Sequence, residues 1–169
     1  MESTPELVAG LVTSILQEDL LYQLAHNVHY LPFEARKDTQ TIFSYVLRWR
    51  PESNDDQQPP SIPYIVHSRP EIILELCKGY NSPKGAMPCG VVLREALKHQ
   101  DIALIILFDE PEQKFRKKDI KVNDKASGNG IFWQLFTWID KGTFEISTDA
   151  FTTFRVCPSL YFGFWLELG

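Results

Sequence analysis

Apolar residues recur at helical spacing along most of the chain. After Ser3-Thr4-Pro5-Glu6, which has capping-box spacing and a proline where a first helical turn tolerates one, they fall at Leu7, Val8, Leu11, Val12, Ile15 and Leu16. The spacing predicts an amphipathic helix with one apolar stripe. It returns at Leu20, Leu21, Leu24, Ala25 and Val28 behind Glu18-Asp19, and again after Pro32 at Thr39, Ile42, Phe43, Val46 and Leu47. Three short helices are therefore expected before residue 50. Pro70 opens a run with Ile72, Ile73, Leu76 and Cys77, and Gly79-Tyr80-Asn81-Ser82 reads as a turn whose Ser82 can cap a helix bearing Cys89, Leu93, Ala96 and Leu97. Pro88 would cost that helix a backbone bond, so a kink or a start near residue 88 is expected. Two further helices carry Phe132, Trp133, Leu135, Phe136, Trp138 and Ile139, then Phe144, Ala150, Phe151 and Phe154. Trp133, Phe136 and Trp138 are expected in the core. No segment alternates apolar and polar residues as a strand does, so the predicted class is all-α with about eight helices.

Two stretches interrupt the pattern. Residues 51–63 are polar and proline-rich and residues 109–130 are of mixed charge; the loops they predict, 50–62 and 109–130, are exposed. The helices between them share a template. Phe33-Glu34, Asp38 and Phe43 recur 111 positions later as Phe144-Glu145, Asp149 and Phe154, and Pro83, Pro88 and Leu93 hold the same places 50 positions after the first set. Such recurrence predicts an armadillo/HEAT-like right-handed helical-repeat solenoid of about three repeats, spanning 4–49, 62–99 and 101–155. Stacking of repeats makes one continuous core, and the last helices of successive repeats line a concave wall on which partners bind.

Composition narrows the function. The 169 residues are 44% apolar and 23% charged, as in ordinary globular domains, and 22 acids against 17 bases leave a net charge of −5. That balance argues against nucleic acid as the partner. The longest apolar run, Ile102–Phe108, is far short of the roughly 20 residues of a membrane span, and the N-terminus has no signal-peptide pattern, so no membrane insertion is expected. Cys77, Cys89 and Cys157 form no CxxC pair and read as buried thiols of a cytoplasmic protein. His26 and His29 sit three apart without a third ligand, so no metal is assigned. Lys114–Lys118 reads as a solvated loop, and Ser127-Gly128-Asn129-Gly130 is too short for a phosphate loop and lacks its lysine. No defensible Ser-His-Asp or Cys-His order emerges, so no catalytic residue and no cofactor is expected.

Four segments then carry a resemblance. Pro32-Phe33-Glu34-Ala35-Arg36-Lys37-Asp38-Thr39-Gln40, Leu76-Cys77-Lys78-Gly79-Tyr80-Asn81-Ser82-Pro83, Cys89-Gly90-Val91-Val92-Leu93-Arg94-Glu95 and Thr143-Phe144-Glu145-Ile146-Ser147-Thr148-Asp149-Ala150-Phe151 resemble, in order, the calcium-binding protein 39 family of mouse-protein-25-like scaffolds. The likeness runs from about Thr4 to Arg155, and Ile42–Arg48 is closest to fungal members. It implies a non-catalytic armadillo-like scaffold that binds germinal-centre-type (sterile-twenty-like) kinases or pseudokinases and helps hold them active. In fungi it implies polarity, morphogenesis and cell separation, with a cytoplasmic protein recruited to sites of polarised growth. Placed on such a scaffold, Arg36, Lys37, Gln40, Arg94, Lys98, Asp149 and Thr152 are the candidate contacts on the concave face.

Calcium is not expected despite the family name, because Asp119–Asp124 lacks the alternating acids and central glycine of an EF-hand loop. Family members are about twice as long, so the chain reads as truncated at both ends. Residues 156–169 are expected to be an unrelated, poorly ordered tail in which Pro158 interrupts any helix. A small all-α enzyme using buried carboxylates and a non-functional fragment of the scaffold are the alternatives.

Overall fold

The structure is a computed structural model that describes residues 4–51, 58–107 and 130–168, with side chains as far as Cys157 except at position 141. Residues 52–57 and 108–129 lie outside it, and with them most of the expected loops, the Lys114–Lys118 cluster and the Asp119–Asp124 stretch. The described residues hold nine α-helices and no strand: α1 Pro5–Gln17, α2 Leu20–Asn27, α3 Phe33–Arg48, α4 Ser61–Ser68, α5 Glu71–Lys78, α6 Pro83–Ala96, α7 Gln100–Leu107, α8 Ile131–Lys141 and α9 Phe144–Leu168. Single 3₁₀ turns, Val28–Tyr30 and Gly79–Asn81, lead into α3 and α6.

The helix starts follow from residue chemistry, with adjustments. Pro5 occupies the first helical position, which makes Thr4 the cap, and Thr4 makes no side-chain cap bond; Ser3, on which the expected capping box rests, lies outside the described residues. Ser82 likewise caps α6 through its extended backbone alone. Phe33, Pro83 and Phe144 are the first residues of α3, α6 and α9, so the sequence template marks the same point of three helices. Its last position supplies Phe43 and Leu93 to the core, with Phe154 packed against it.

Two prolines lie within helices. α6 runs through Pro88 without restarting, and α9 continues past Pro158 to Leu168, where a break was expected. A proline inside a helix removes one N–H, but every later residue contributes its own bond to the fourth carbonyl before it, so the helix can resume.

The helices fall into three trios. α3 packs on α6 and α6 on α9, while α2 packs on α5 and α4 on α7. One apolar cluster runs through all three trios, from Val12 and Leu21 through Ile62, Ile72 and Leu76 to Ile102, Leu135 and Ala150. This is a helical-repeat solenoid, in which no trio closes its own core.

Polar ties reinforce the stack. Asp19 turns the chain between α1 and α2 at φ 59°, a left-handed conformation that a short polar side chain tolerates. Its carboxylate accepts bonds from the Tyr64 hydroxyl and from Arg69 Nε, the latter at 2.9 Å, which ties the first trio to the second. The Arg69 bond, then the Tyr64 bond, hold the Asp19 carboxyl below the usual aspartate range. Burial, followed by the Asp19 bond, pushes the Tyr64 hydroxyl up to about 12.

A pH dependence follows. An acid with a lowered folded pKa stabilises the fold above its unfolded value, about 3.9, and that contribution is lost as pH falls through the folded value. Because both side chains are partly exposed, the loss is about 1 kcal/mol or less. Urea titrations between neutral and acidic pH should show Asp19→Asn losing less stability on acidification than the parent; parallel pH curves would remove this role.

Candidate partner-binding surface

Because α6 lies between α3 and α9, it presents one narrow strip to solvent, Lys84, Met87 and Val91, which Lys98 continues just beyond the end of the helix. The corresponding positions, set by the repeat template, are Glu34, Lys37, Thr41 and Arg48 on α3 and Glu145, Thr148 and Thr152 on α9, all exposed. Three exposed strips thus run side by side along the row. Met87 (53% exposed) and Val91 (39%) put an apolar patch on the middle one. Charged residues lie around it, with Lys37 3.5 Å from Glu34, Lys98 2.6 Å from Glu95, and Arg48 reaching Glu95 across α3 and α6 at 3.5 Å. Phe33 is exposed at the start of α3, with Lys37 Nζ 4.3 Å from its ring centre.

The sequence candidates divide on this surface. Lys37, Lys98 and Thr152 lie on the strips, and the Thr152 hydroxyl donates back to the Thr148 carbonyl at 2.8 Å. Arg36 instead turns toward α6 and donates to the Lys84 carbonyl at 3.1 Å, and Gln40 is half-buried. Arg94 and Asp149 face each other across α6 and α9.

Asp149 is only 8% exposed because α9 meets α6 on the side bearing Asp149, Ala150 and Thr153. Arg94 Nη1 lies 2.9 Å from Asp149 Oδ2 and donates to Thr153 Oγ1 at 3.0 Å. The buried Tyr80 hydroxyl donates to Asp149 Oδ2 at 2.7 Å and lies 2.7 Å from Thr153 Oγ1. Burial chiefly pushes the Tyr80 hydroxyl far above its ordinary value, and burial followed by the Asp149 charge pushes the Cys89 thiol up to about 12. These groups stay protonated at physiological pH, and the cluster acts as a closed lock between the second and third trios.

Sequence reasoning missed Tyr80, Thr153 and Gly90 here. A Cβ on Gly90 would sit 1.8 Å from Asp149 Oδ2 and 2.6 Å from the Tyr80 hydroxyl, so the glycine makes room for the carboxylate. A glycine inside a helix is the available signal, since it weakens a helix unless another group approaches closely.

Other candidate chemistry resolves as structure. His26 Nδ1 lies 3.0 Å from Glu75 Oε2, across α2 and α5, and Lys78 Nζ is 2.7 Å from the other Glu75 oxygen. Burial raises the Glu75 carboxyl, but bonds from Lys78 and His26 outweigh it and hold the group below its ordinary value. These residues edge a cleft of about 250 Å³ with His29, Asn81 and Ser82. Among the described residues no three His, Cys, Asp or Glu side chains gather as a metal site. Cys77, Cys89 and Cys157 are buried cysteines outside any disulfide. Trp138 is in the core and its Nε1 donates to Asn81 Oδ1 at 2.8 Å, whereas Trp133 and Phe136, expected there too, are more than two-fifths exposed. Phe136 meets Phe154 of α9 edge-on with ring centres 5.0 Å apart, yet both rings keep about two-fifths of their surface open.

A family model described as Mo25-like matches residues 1–157. The chain is 56% identical to the conidiophore development protein hymA of Emericella nidulans, over 92% of this chain and 41% of that one. It is 31% identical to the calcium-binding protein 39-like protein of Homo sapiens, over 91% of this chain and 38% of the relative. Identity to the Mo25-like protein of Schizosaccharomyces pombe is 28%, over 92% of this chain and 40% of the relative. The chain therefore spans about two-fifths of the length of these curated relatives. No helix among the described residues is long and apolar enough to cross a membrane.

Proposed function

Since the chain belongs to the Mo25-like family, we propose that it is a non-catalytic scaffold which binds, and helps activate, germinal-centre-type kinases or pseudokinases. In this reading it serves polarity, morphogenesis and cell separation in the cytoplasm at sites of polarised growth. The relative named for conidiophore development supports the morphogenetic part. The observation that carries the binding part is the α3–α6–α9 surface: three parallel strips of exposed side chains on rigid helices, with Met87 and Val91 at the centre and charges around them. An apolar centre with a polar rim is the anatomy of a protein interface.

Catalysis has less support. An enzyme working through buried carboxylates needs an acid free to exchange a proton with substrate. Among the described residues Asp149 is the buried carboxylate, and Arg94, Tyr80 and the packing of α6 enclose it. It lines neither the cleft beside His26 and Glu75 nor another of about 460 Å³ edged by Pro5, Val8, Tyr45 and Trp49.

Met87→Asp combined with Val91→Asp places two desolvated charges at the centre of the surface and is expected to weaken capture of a germinal-centre-type kinase catalytic domain about tenfold or more. Lys37→Glu should weaken it by less, with stronger dependence on salt. Far-UV circular dichroism should be unchanged, since all three residues are exposed. Undiminished capture by the double variant would take the surface assignment away.

A further inference from the structure

The sulfur of the chain lies in two methionines and three cysteines. Cys77, Cys89 and Cys157 are at most 1% exposed, and burial chiefly pushes the Cys89 and Cys157 thiols up to about 12. At neutral pH those two offer an oxidant almost no thiolate, the form that reacts. Met87 differs: at 53% exposure it is, among the described residues, the sulfur side chain open to solvent. α6 has α3 on one side and α9 on the other, so this exposure is set inside the row of helices. The turn that carries Met87 is also fixed in place. Pro88 has no N–H to give the Lys84 carbonyl, and Arg36 of α3 donates to that carbonyl instead at 3.1 Å. The neighbour one turn on, Val91, is apolar and exposed, so the thioether stands at the centre of the apolar patch.

From this we infer that Met87 is a reversible oxidation site, at which hydrogen peroxide converts the thioether to a sulfoxide and so weakens capture by the α3–α6–α9 surface; the inference rests on the kinase-binding reading of that surface. The Sδ lone pair attacks one peroxide oxygen, the O–O bond breaks and an S–O bond forms. Sulfur gives up two electrons and the peroxide gains them; the departing hydroxide takes the proton of the new S–OH group and leaves as water. Methionine sulfoxide reductase reverses the change: two thiols become a disulfide and the sulfoxide oxygen leaves as water. The added oxygen turns an apolar side chain into one with a strong hydrogen-bond acceptor. Water satisfies it on the free surface. Beneath a partner it must give up that water, and Val91 supplies no donor in exchange, so the cost falls on binding and leaves the fold unchanged.

The test treats the full chain with dilute hydrogen peroxide, removes the excess with catalase and then measures capture of a germinal-centre-type kinase catalytic domain. Peptide mass mapping should place one added oxygen on Met87 before any on Cys77, Cys89 or Cys157. Capture should fall about fivefold with unchanged far-UV circular dichroism, and methionine sulfoxide reductase should restore it. Met87→Leu, compared with itself before and after treatment, should lose none. A cysteine oxidised ahead of Met87, or an equal loss in Met87→Leu, would overturn the proposal. Capture that the Met87→Asp/Val91→Asp variant weakens but complete sulfoxide formation does not would overturn the switch and leave the surface standing. Capture indifferent to both changes would overturn the surface reading and this inference with it.

Discussion

Gly90→Ala is expected to lower the stability of the chain by about 3–5 kcal/mol, the scale of an overpacked site combined with a disrupted buried ion pair. Helix propensity alone predicts the opposite sign, since alanine is favoured over glycine in a helix interior by about 1 kcal/mol. Sterics decide: the new methyl would stand 1.8 Å from Asp149 Oδ2 and 2.8 Å from Asp149 Cγ. The carboxylate cannot simply retreat. It is the acceptor for both Arg94 and Tyr80, and moving it leaves a buried hydroxyl and a mostly buried guanidinium short of a partner. Gly10, in the middle of α1, provides the contrast, for a Cβ there meets nothing within 4 Å. Gly10→Ala should therefore raise stability by about 0.5–1 kcal/mol. Thermal melts followed by circular dichroism read both signs, and a raised midpoint for Gly90→Ala would mean that α6 and α9 do not approach as closely as described.

The same pair of glycines shows how far sequence reasoning reaches. Helices were legible because their stripes repeat at the helical period, and the recurrence of Phe33, Asp38 and Phe43 as Phe144, Asp149 and Phe154 located the equivalent ends of α3 and α9. What the period cannot state is the neighbour. Asp38 and Asp149 occupy one template position, yet the first is exposed and the second enclosed, because only the second has a preceding trio packed against it. Position along the helix likewise separates Trp138 in the core from Trp133 on the surface only when the packing of α8 on α9 is known. For the proposed binding surface, Lys37 and Thr152 could be chosen as polar residues on a third helix, and Lys98 as one just beyond it. Met87 and Val91 could not, because an apolar residue in an amphipathic pattern reads as core, and their exposure arises from α3 and α9 flanking α6 on both sides.

Removing part of the lock between α6 and α9 is expected to cost more than removing all of it. Asp149→Leu deletes the acceptor shared by Arg94 Nη1 and the Tyr80 hydroxyl and should destabilise the chain by about 2–4 kcal/mol, somewhat below the range for fully buried pairs because Arg94 is 23% exposed. Arg94→Met leaves the opposite fault, a carboxylate at 8% exposure that keeps the Tyr80 hydroxyl but loses its cation, and should cost a similar amount. Combining Asp149→Leu, Arg94→Met and Tyr80→Phe replaces every member that needs a charged or hydroxyl partner across this contact except Thr153, whose hydroxyl can bond to a helix carbonyl one turn earlier. That triple variant should recover most of the loss and so be more stable than either single variant. Its uniqueness is another matter: Tyr80, Arg94 and Asp149 bond in one register, whereas their apolar replacements pack nearly as well after a small slide of α9 along α6. Such a slide would misplace Thr148 and Thr152 against Met87 and Val91, so kinase capture should stay weakened even where urea unfolding shows stability restored. Additive single losses, or recovery of both stability and capture together, would mean that the cluster contributes ordinary packing and does not set the alignment of the surface.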